Sequence, residues 1–207
     1  MSLNTVAAGK ILTIMKSVPI ENSWSFCPRC GTRSEVASGN PFACSECRYT
    51  HYFSPCTAVG ALIVDASNQM LFIVRGKDPG KGKLGLPGGF VDSKETAETA
   101  LIREIKEELN LDVSGFEYLA SFPNEYAYGG VIIPVTDLFF VTRVASLENI
   151  VIQEVEVHDW KFLNVQDVLT DMLAFRTHEQ AIEAFRSANS EHGDATFGVG
   201  VGSRRFK

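Results

Sequence analysis

The stretch from Gly89 to Leu111 leaves the chain little freedom in how it folds. Five residues separate Gly89 from Glu95 and seven separate Glu95 from Arg103; Glu104 follows at once, then Ile105, Lys106, Glu107, Glu108, Leu109, Asn110 and Leu111. The spacing predicts a helix from about Thr96 to Leu109. At about 100° of rotation per residue, Glu104, Glu107 and Glu108 fall within an arc of roughly 100°, and Leu101 and Ile105 lie beside that arc to anchor the helix on a sheet. Like charges three or four residues apart on a helix oppose one another by roughly a few tenths of a kcal/mol per pair, a sign that a divalent cation reverses. Hard oxygen ligands suit Mg2+ or Mn2+, whose remaining positions are shared with water and substrate phosphates. A metal held in this way can neutralise a diphosphate, activate a water and stabilise the leaving oxygen. The plain alternative is a solvated acidic face, and the fixed offsets of Gly89, Glu95 and Arg103 weigh against it.

Around this helix the pattern is α+β. Val59 to Val64 and Met70 to Val74 read as two strands joined by a turn at Asp65 to Gln69. Residues 76 to 92 are crowded with Gly, Lys, Pro and Asp and read as a loop leading into the helix. Further strands are expected near 116 to 122, 130 to 143 and 157 to 163. A second helix is expected over 178 to 187, where Thr177 and Gln180 have capping-box spacing. The segment after Ser187, rich in Gly, Ser and charge, reads as a flexible tail.

Four of the five cysteines form two pairs, Cys27-Pro28-Arg29-Cys30 and Cys44-Ser45-Glu46-Cys47, separated by thirteen residues. Two such knuckles turn four thiolates toward one point and complete a closed tetrahedral Zn2+ site, which stabilises a segment too small for a core of its own. Two disulfides would need an oxidising compartment, and redox Cys-x-x-Cys sites usually occur singly. Four thiolates leave no open position for water, so this zinc is structural. Cys56 stands alone at the edge of an apolar segment and reads as a plain buried thiol. His51 receives no role, because four cysteines already fill the site.

The segment from Gly89 to Leu111 resembles the signature box of the Nudix hydrolases. Every position matches except the last glycine, where this chain has Asn110, the next-best residue for a left-handed helix end. The resemblance implies a Nudix-type α/β/α sandwich with a mixed sheet, covering about residues 57 to 187, and a pyrophosphohydrolase activity on phosphorus-containing acid anhydrides. It assigns Glu104, Glu107 and Glu108 as ligands of Mg2+ or Mn2+, with the Gly89 carbonyl completing the shell. Arg103 then orients a glutamate, either Glu104 or Glu95. The general base is Glu104 or a glutamate on a later loop, Glu154 or Glu156. Residues 24 to 55 and the join Tyr52-Phe53-Ser54-Pro55 are similar to the zinc ribbon of the NADH pyrophosphatase branch. That branch's Ser-Gln-Pro-Trp-like block downstream of the box is absent, so NADH specificity is not carried over. The implied organisation is an N-terminal segment (1–22), a zinc ribbon (23–55), a Nudix domain (56–187) and a flexible tail (188–207). The family also makes a homodimer the expected assembly.

For substrate, Phe122, Tyr126 and Tyr128 offer flat faces to a base or sugar, and Asn124 offers both a donor and an acceptor. Arg75, Lys77, Lys81 and Lys83 surround a glycine-rich loop and can hold phosphate charge. The expected substrate is a nucleoside diphosphate linked to another moiety, such as ADP-ribose, NADH or a related dinucleotide. The rival reading is a nucleotide-sensing or RNA-associated module with little turnover. A net charge of −6 and a pI near 5.3 argue against a long nucleic-acid footprint, leaving a capped RNA end as the one nucleic-acid substrate in view. No apolar run reaches a membrane span, and the first twenty residues lack the pattern of a secretory signal, so a cytoplasmic protein is expected.

Overall fold

The computed structural model describes residues 17–34, 39–65, 67, 69–113, 115–144 and 150–191. Most of the N-terminal segment and of the expected tail lies outside these described residues. The described residues fall into two compact units: those up to Phe53 together with Ala127–Ile133, and those of Ser54–Tyr126 together with those from Pro134 to Glu191.

The first unit holds three short strands, β1 (Val18–Pro19), β2 (Phe42–Ala43) and β3 (Thr50–His51). β2 and β3 pair antiparallel, and β1 runs parallel to Val131 and Ile132. With so little regular structure, the interior is an aromatic cluster. Trp24 stands edge-on to Phe53 at 4.7 Å and to Phe42 at 5.4 Å, and stacks on His51 at 4.8 Å. His51, given no role from the sequence, is part of this packing. The two cysteine loops are built alike. Gly31 donates its N–H to the Cys27 carbonyl at 2.9 Å and Arg48 donates to that of Cys44 at 3.1 Å, each four residues after the first cysteine and each with positive φ, 74° and 58°. The first loop meets the left-handed requirement with glycine; the second places an arginine there, at a cost of roughly 1–2 kcal/mol.

The second unit is built from β4 (Cys56–Val64), β5 (Gln69–Arg75), β6 (Leu84–Gly85), α1 (Ala97–Leu109), β7 (Phe116–Tyr128), β8 (Val131–Arg143), β9 (Val157–Asn164) and α2 (Arg176–Glu191). The hairpin tip after Tyr126 belongs to the first unit. β4 runs parallel to β8 and antiparallel to β5, so the sheet is mixed. β9 pairs along β5, and β6 joins β5 at Ile73 and Val74.

The continuous apolar runs in β4 and β5 reflect burial on both faces. Side chains alternate across a strand: Leu62, Val64, Met70 and Phe72 pack with Ala181, Ile182 and Phe185 of α2, whereas Ala61, Ile63, Leu71 and Ile73 pack with Leu101, Ile105 and Leu109 of α1. The result is the α/β/α sandwich the resemblance implied.

Four local expectations need adjustment. Cys56, expected to be buried, is exposed, because it opens β4 ahead of that strand's buried run. β7 continues through Tyr128, because the break falls at Gly129 and Gly130, both with positive φ, and not at the earlier Pro123-Asn124. α2 begins at Arg176, ahead of the expected cap, because the Thr177 hydroxyl is used elsewhere, as described below. It also runs to Glu191, past the expected start of the tail. α1 starts after Thr96, whose hydroxyl accepts from the Thr99 N–H at 3.2 Å, and closes at Asn110 with φ 55° and ψ 24°. Asn110 thus performs the helix-ending job expected of it.

Gly31 has open space where a Cβ would stand, so its cost of substitution is conformational alone. Gly31→Ala is expected to lower stability by about 1 kcal/mol. Arg48→Gly should move it the other way by a smaller amount, since glycine's freedom in the unfolded chain offsets part of the relief. Urea unfolding of the full chain checks both.

Candidate active site

The site forms where the loop before α1 lies against β4. Val59 donates its N–H to the Gly89 carbonyl, and Ala61 donates to that of Pro87, both at 2.8 Å. That approach requires glycine. Gly88 has φ 142° and a Cβ there would stand 2.0 Å from the Val59 carbonyl oxygen; at Gly89 a Cβ would stand 2.5 Å from Glu104 Oε1.

Arg103 ties the loop to the helix. Its Nε and Nη2 grip both carboxylate oxygens of Glu95 at 3.0 and 2.9 Å. Nη1 donates to Glu104 at 2.8 Å and to Glu107 at 3.3 Å, and Nη2 also reaches the Phe90 carbonyl at 3.1 Å. The bidentate fork holds the Glu95 carboxyl below the usual carboxylate range, helped by the Asp92 N–H. It holds both Glu95 and Glu104, the two glutamates the sequence offered it.

The three carboxylates of α1 diverge in environment. Glu107 is half exposed. Glu104 is mostly covered, and burial raises its carboxyl despite Arg103. Glu108 is 4% exposed and accepts the Gly88 N–H at 2.9 Å. Burial pushes its carboxyl up to about 8, the charges of Glu104 and Glu156 adding to the effect while the Gly88 N–H and Arg75 oppose it.

Glu104 and Glu108 open on a cavity of about 290 Å³ that is also lined by Gly89, Arg75, Lys77 and Glu156. Lys77 and Glu156 form an ion pair. Arg75 donates to the Pro79 carbonyl at 2.7 Å and sets its guanidinium 4.9 Å from the centre of the Phe175 ring. Of the other residues singled out from sequence, Tyr126 and Asn124 line the cavity, whereas Phe122 packs on Phe139 in the core. Tyr128 is 69% exposed, Glu154 is exposed, and neither they nor Lys81 and Lys83 line the cavity.

The sequence reading missed Asp137, Phe175 and His178, all on the cavity wall. Asp137 was visible as a lone charge in the apolar run Val135 to Phe140. His178 is buried and accepts the Leu86 N–H at Nδ1, 3.2 Å away. Burial, seconded by the charge of Arg75, lowers its pKa to about 3, so the ring is neutral.

In the first unit the four cysteine sulfurs lie within 4.8 Å of one another. The sulfurs of Cys27 and Cys47, like those of Cys30 and Cys44, are 3.7 Å apart, and none of the four is in a disulfide. Tetrahedral coordination with bonds of about 2.3 Å puts sulfurs roughly 3.8 Å apart.

A model of the NUDIX domain matches residues 54–185, more than half of the chain, which therefore belongs to the NUDIX family. Over 64 residues it is 47% identical to an ADP-ribose pyrophosphatase of Methanocaldococcus jannaschii, covering 31% of this chain and 37% of that protein. Over 104 residues it is 34% identical to the NAD-capped RNA hydrolase NudC of Vibrio atlanticus, covering 49% and 37%. The chain thus spans little more than a third of the length of these curated relatives. Among solved structures, the NUDIX domain of Shewanella oneidensis NrtR, complexed with ADP ribose, superposes with a TM-score of 0.55 and 26% identity, over 65% of this chain and 88% of that one. A NUDIX hydrolase from Nitrosomonas europaea shares the fold with a TM-score of 0.60 at 23% identity, over 82% and 94%. Among the described residues, no helix is long and apolar enough to cross a membrane.

In the metal-free protein the folded state favours protonated Glu108. An unfolded glutamate titrates at about 4.3, so raising the pH from there to about 8 deprotonates the unfolded chain first and lowers stability across that window. Glu108→Gln keeps an acceptor for Gly88 and cannot ionise. In EDTA it is expected to melt above the wild type at pH 8, with the gap closing toward pH 4; a thermal melt series across pH checks this.

Proposed function

We propose that this chain hydrolyses the diphosphate bond of a nucleoside diphosphate linked to another moiety, with ADP-ribose or an NAD-like dinucleotide as the first substrate class. The observation that carries the reading is the burial of Glu104 and Glu108 side by side on a cavity whose opposite features are two cations, Arg75 and Lys77, and two aromatic rings, Tyr126 and Phe175. Burying like charges costs free energy, and the donor set, carboxylate and carbonyl oxygens with no thiol or imidazole among them, fits a hard divalent ion.

Glu104, Glu107 and Glu108, with the Gly89 carbonyl, are the residues that would hold Mg2+ or Mn2+. Such an ion would neutralise the diphosphate and lower the pKa of a bound water. Arg103 keeps Glu104 facing the loop, and Glu95 keeps Arg103 in place. Arg75 and Lys77 are the phosphate-facing cations; Lys83 is a farther reserve of charge. The proton of the attacking water goes to Glu104 or to a glutamate of the 154–156 segment, where Glu156 on the cavity wall is better placed than exposed Glu154. Tyr126 offers a face to the base, and Tyr128 and Phe122 lie outside the cavity lining. Cys27, Cys30, Cys44 and Cys47 are proposed to hold one structural Zn2+, supported by their sulfur spacing. Relatives named for ADP-ribose and for NAD-capped RNA make both substrate forms, the small molecule and the capped RNA end, part of the test.

The test incubates the purified chain with Mg2+ or Mn2+ against ADP-ribose, NADH, NAD, FAD, nucleotide sugars and an NAD-capped RNA, with products identified by mass. AMP plus a second phosphate monoester is expected. Glu107→Gln and Glu108→Gln should each lower kcat by about 10²-fold or more with the fold retained. Tight nucleotide binding without turnover in either metal would contradict the enzyme reading in favour of a sensing module. Metal analysis should find one zinc per chain, lost in Cys44→Ser.

A further inference from the structure

Asp137 takes no part in the chemistry proposed above, yet it is, after Glu108, the second buried acid on the cavity wall. It lies on β8 between Val135 and Phe139, is 7% exposed, and shares the cavity wall with Asn124, Tyr126 and Phe175. A carboxylate in such a place costs free energy unless its oxygens are used. One of them is. Oδ2 accepts from Asn124 Nδ2 at 2.8 Å and from Thr177 Oγ1 at 2.6 Å. The other is open to the cavity: among the described residues no hydrogen bond reaches Oδ1 and no cation pairs with Asp137, and Oδ1 is not among the fully buried atoms left without a partner. His178 nearby supplies no charge, since its Nδ1 accepts from Leu86.

The orientation of Asn124 is fixed as well. Its Oδ1 accepts the Glu125 N–H at 2.9 Å, so Nδ2 must face Asp137. An amide nitrogen carries two hydrogens, and only one is spent on Asp137. Two adjacent groups therefore remain for a ligand: an acceptor on Asp137 and a donor on Asn124. Beside them stand the rings of Tyr126 and Phe175, with centres 6.1 Å apart and planes 33° from parallel. The same cavity, of about 290 Å³, is lined at other points by Arg75, Lys77, Glu104 and Glu108, so a base seated beside Asp137 shares one cavity with the proposed phosphate and metal groups.

We infer that Asp137 and Asn124, braced by Thr177, form a base-reading subsite selective for a nucleobase that carries an amino group next to a ring-nitrogen acceptor, as adenine does. The exocyclic amine donates to Asp137 Oδ1 and the ring nitrogen accepts from Asn124. Hypoxanthine, with an oxo group and an N–H in those places, meets an acceptor with an acceptor and a donor with a donor. A site built around buried polar groups rejects a mismatched partner strongly, because the groups are left unpaired. This inference rests on the nucleotide-hydrolase reading for the identity of the ligand, but its logic concerns recognition and not turnover.

Asp137→Asn is the direct test. The isosteric amide keeps an oxygen for Asn124 and Thr177 and replaces the free oxygen with an amino donor, inverting what the subsite asks for. We would measure binding of AMP, IMP and 2′-deoxy-AMP, and in parallel kcat/KM for ADP-ribose and its hypoxanthine counterpart. The wild type should favour the adenine member of each pair by about 10-fold or more. Asp137→Asn should bring the ratio to unity or below. The half-buried Asn124→Ala, which disturbs the core less, should weaken AMP and, by removing the donor that opposes the hypoxanthine N–H, should not weaken IMP. An adenine preference that survives Asp137→Asn in a protein of wild-type fold overturns the inference, and so does discrimination that follows the 2′-hydroxyl instead of the base. Hydrolysis with no effect at position 137 removes the inference and leaves the hydrolase reading standing. A base preference that inverts in Asp137→Asn without any turnover does the reverse.

Discussion

The guanidinium of Arg103 is the fixed point from which the site is laid out. A fork that grips both oxygens of Glu95 cannot rotate away, so its remaining N–H groups stay aimed at Glu104, Glu107 and the Phe90 carbonyl. The loop carrying Gly88 and Gly89 is thereby held on the same end of α1 as the carboxylates. Lysine would carry the same charge without the fork, and the arrangement would lose its geometry while keeping its electrostatics. The seven residues between Glu95 and Arg103 allow one to precede the helix and the other to meet it from within.

Around that point the fold places three acids in graded environments. Glu107 stays wet, Glu104 is clamped, and Glu108 is taken fully inside against the Gly88 N–H. The gradient follows from the rotation of a helix whose adjoining side, Leu101, Ile105 and Leu109, must lie on the sheet, with Glu108 next to that side and Glu107 farthest from it. The sandwich that buries those aliphatic side chains thus also forces Glu108 into a place unfavourable to its charge. A fold tolerates such an expense where a ligand repays it.

Legibility in the sequence followed periodicity and spacing. The box helix, its Asn110 end, the twin apolar strands and the four-cysteine cluster were all readable, because each is dictated by neighbours within a few residues or by ligands that must converge. What escaped was set by distant parts of the chain. Thr177 has the spacing of a cap, yet its hydroxyl goes to Asp137, forty residues away. Phe122 and Tyr126 look equivalent on paper, but Phe122 packs against Phe139 and Tyr126 faces the cavity. Glu154 and Glu156 differ only in which one the turn before β9 directs inward. Asp137 offered one local clue, a charge inside an apolar strand, and its partners were invisible until β7, β8 and α2 were brought together.

The central claim is that the buried acids of α1 hold a divalent ion that turns their mutual repulsion into binding. The most direct measurement is a titration of the EDTA-treated protein with Mn2+, counting bound ions by electron paramagnetic resonance, in the wild type and in a Glu104→Gln, Glu108→Gln double variant. The account requires saturable Mn2+ binding in the wild type and its loss in the folded double variant. Equal affinity and stoichiometry in the two proteins would contradict it.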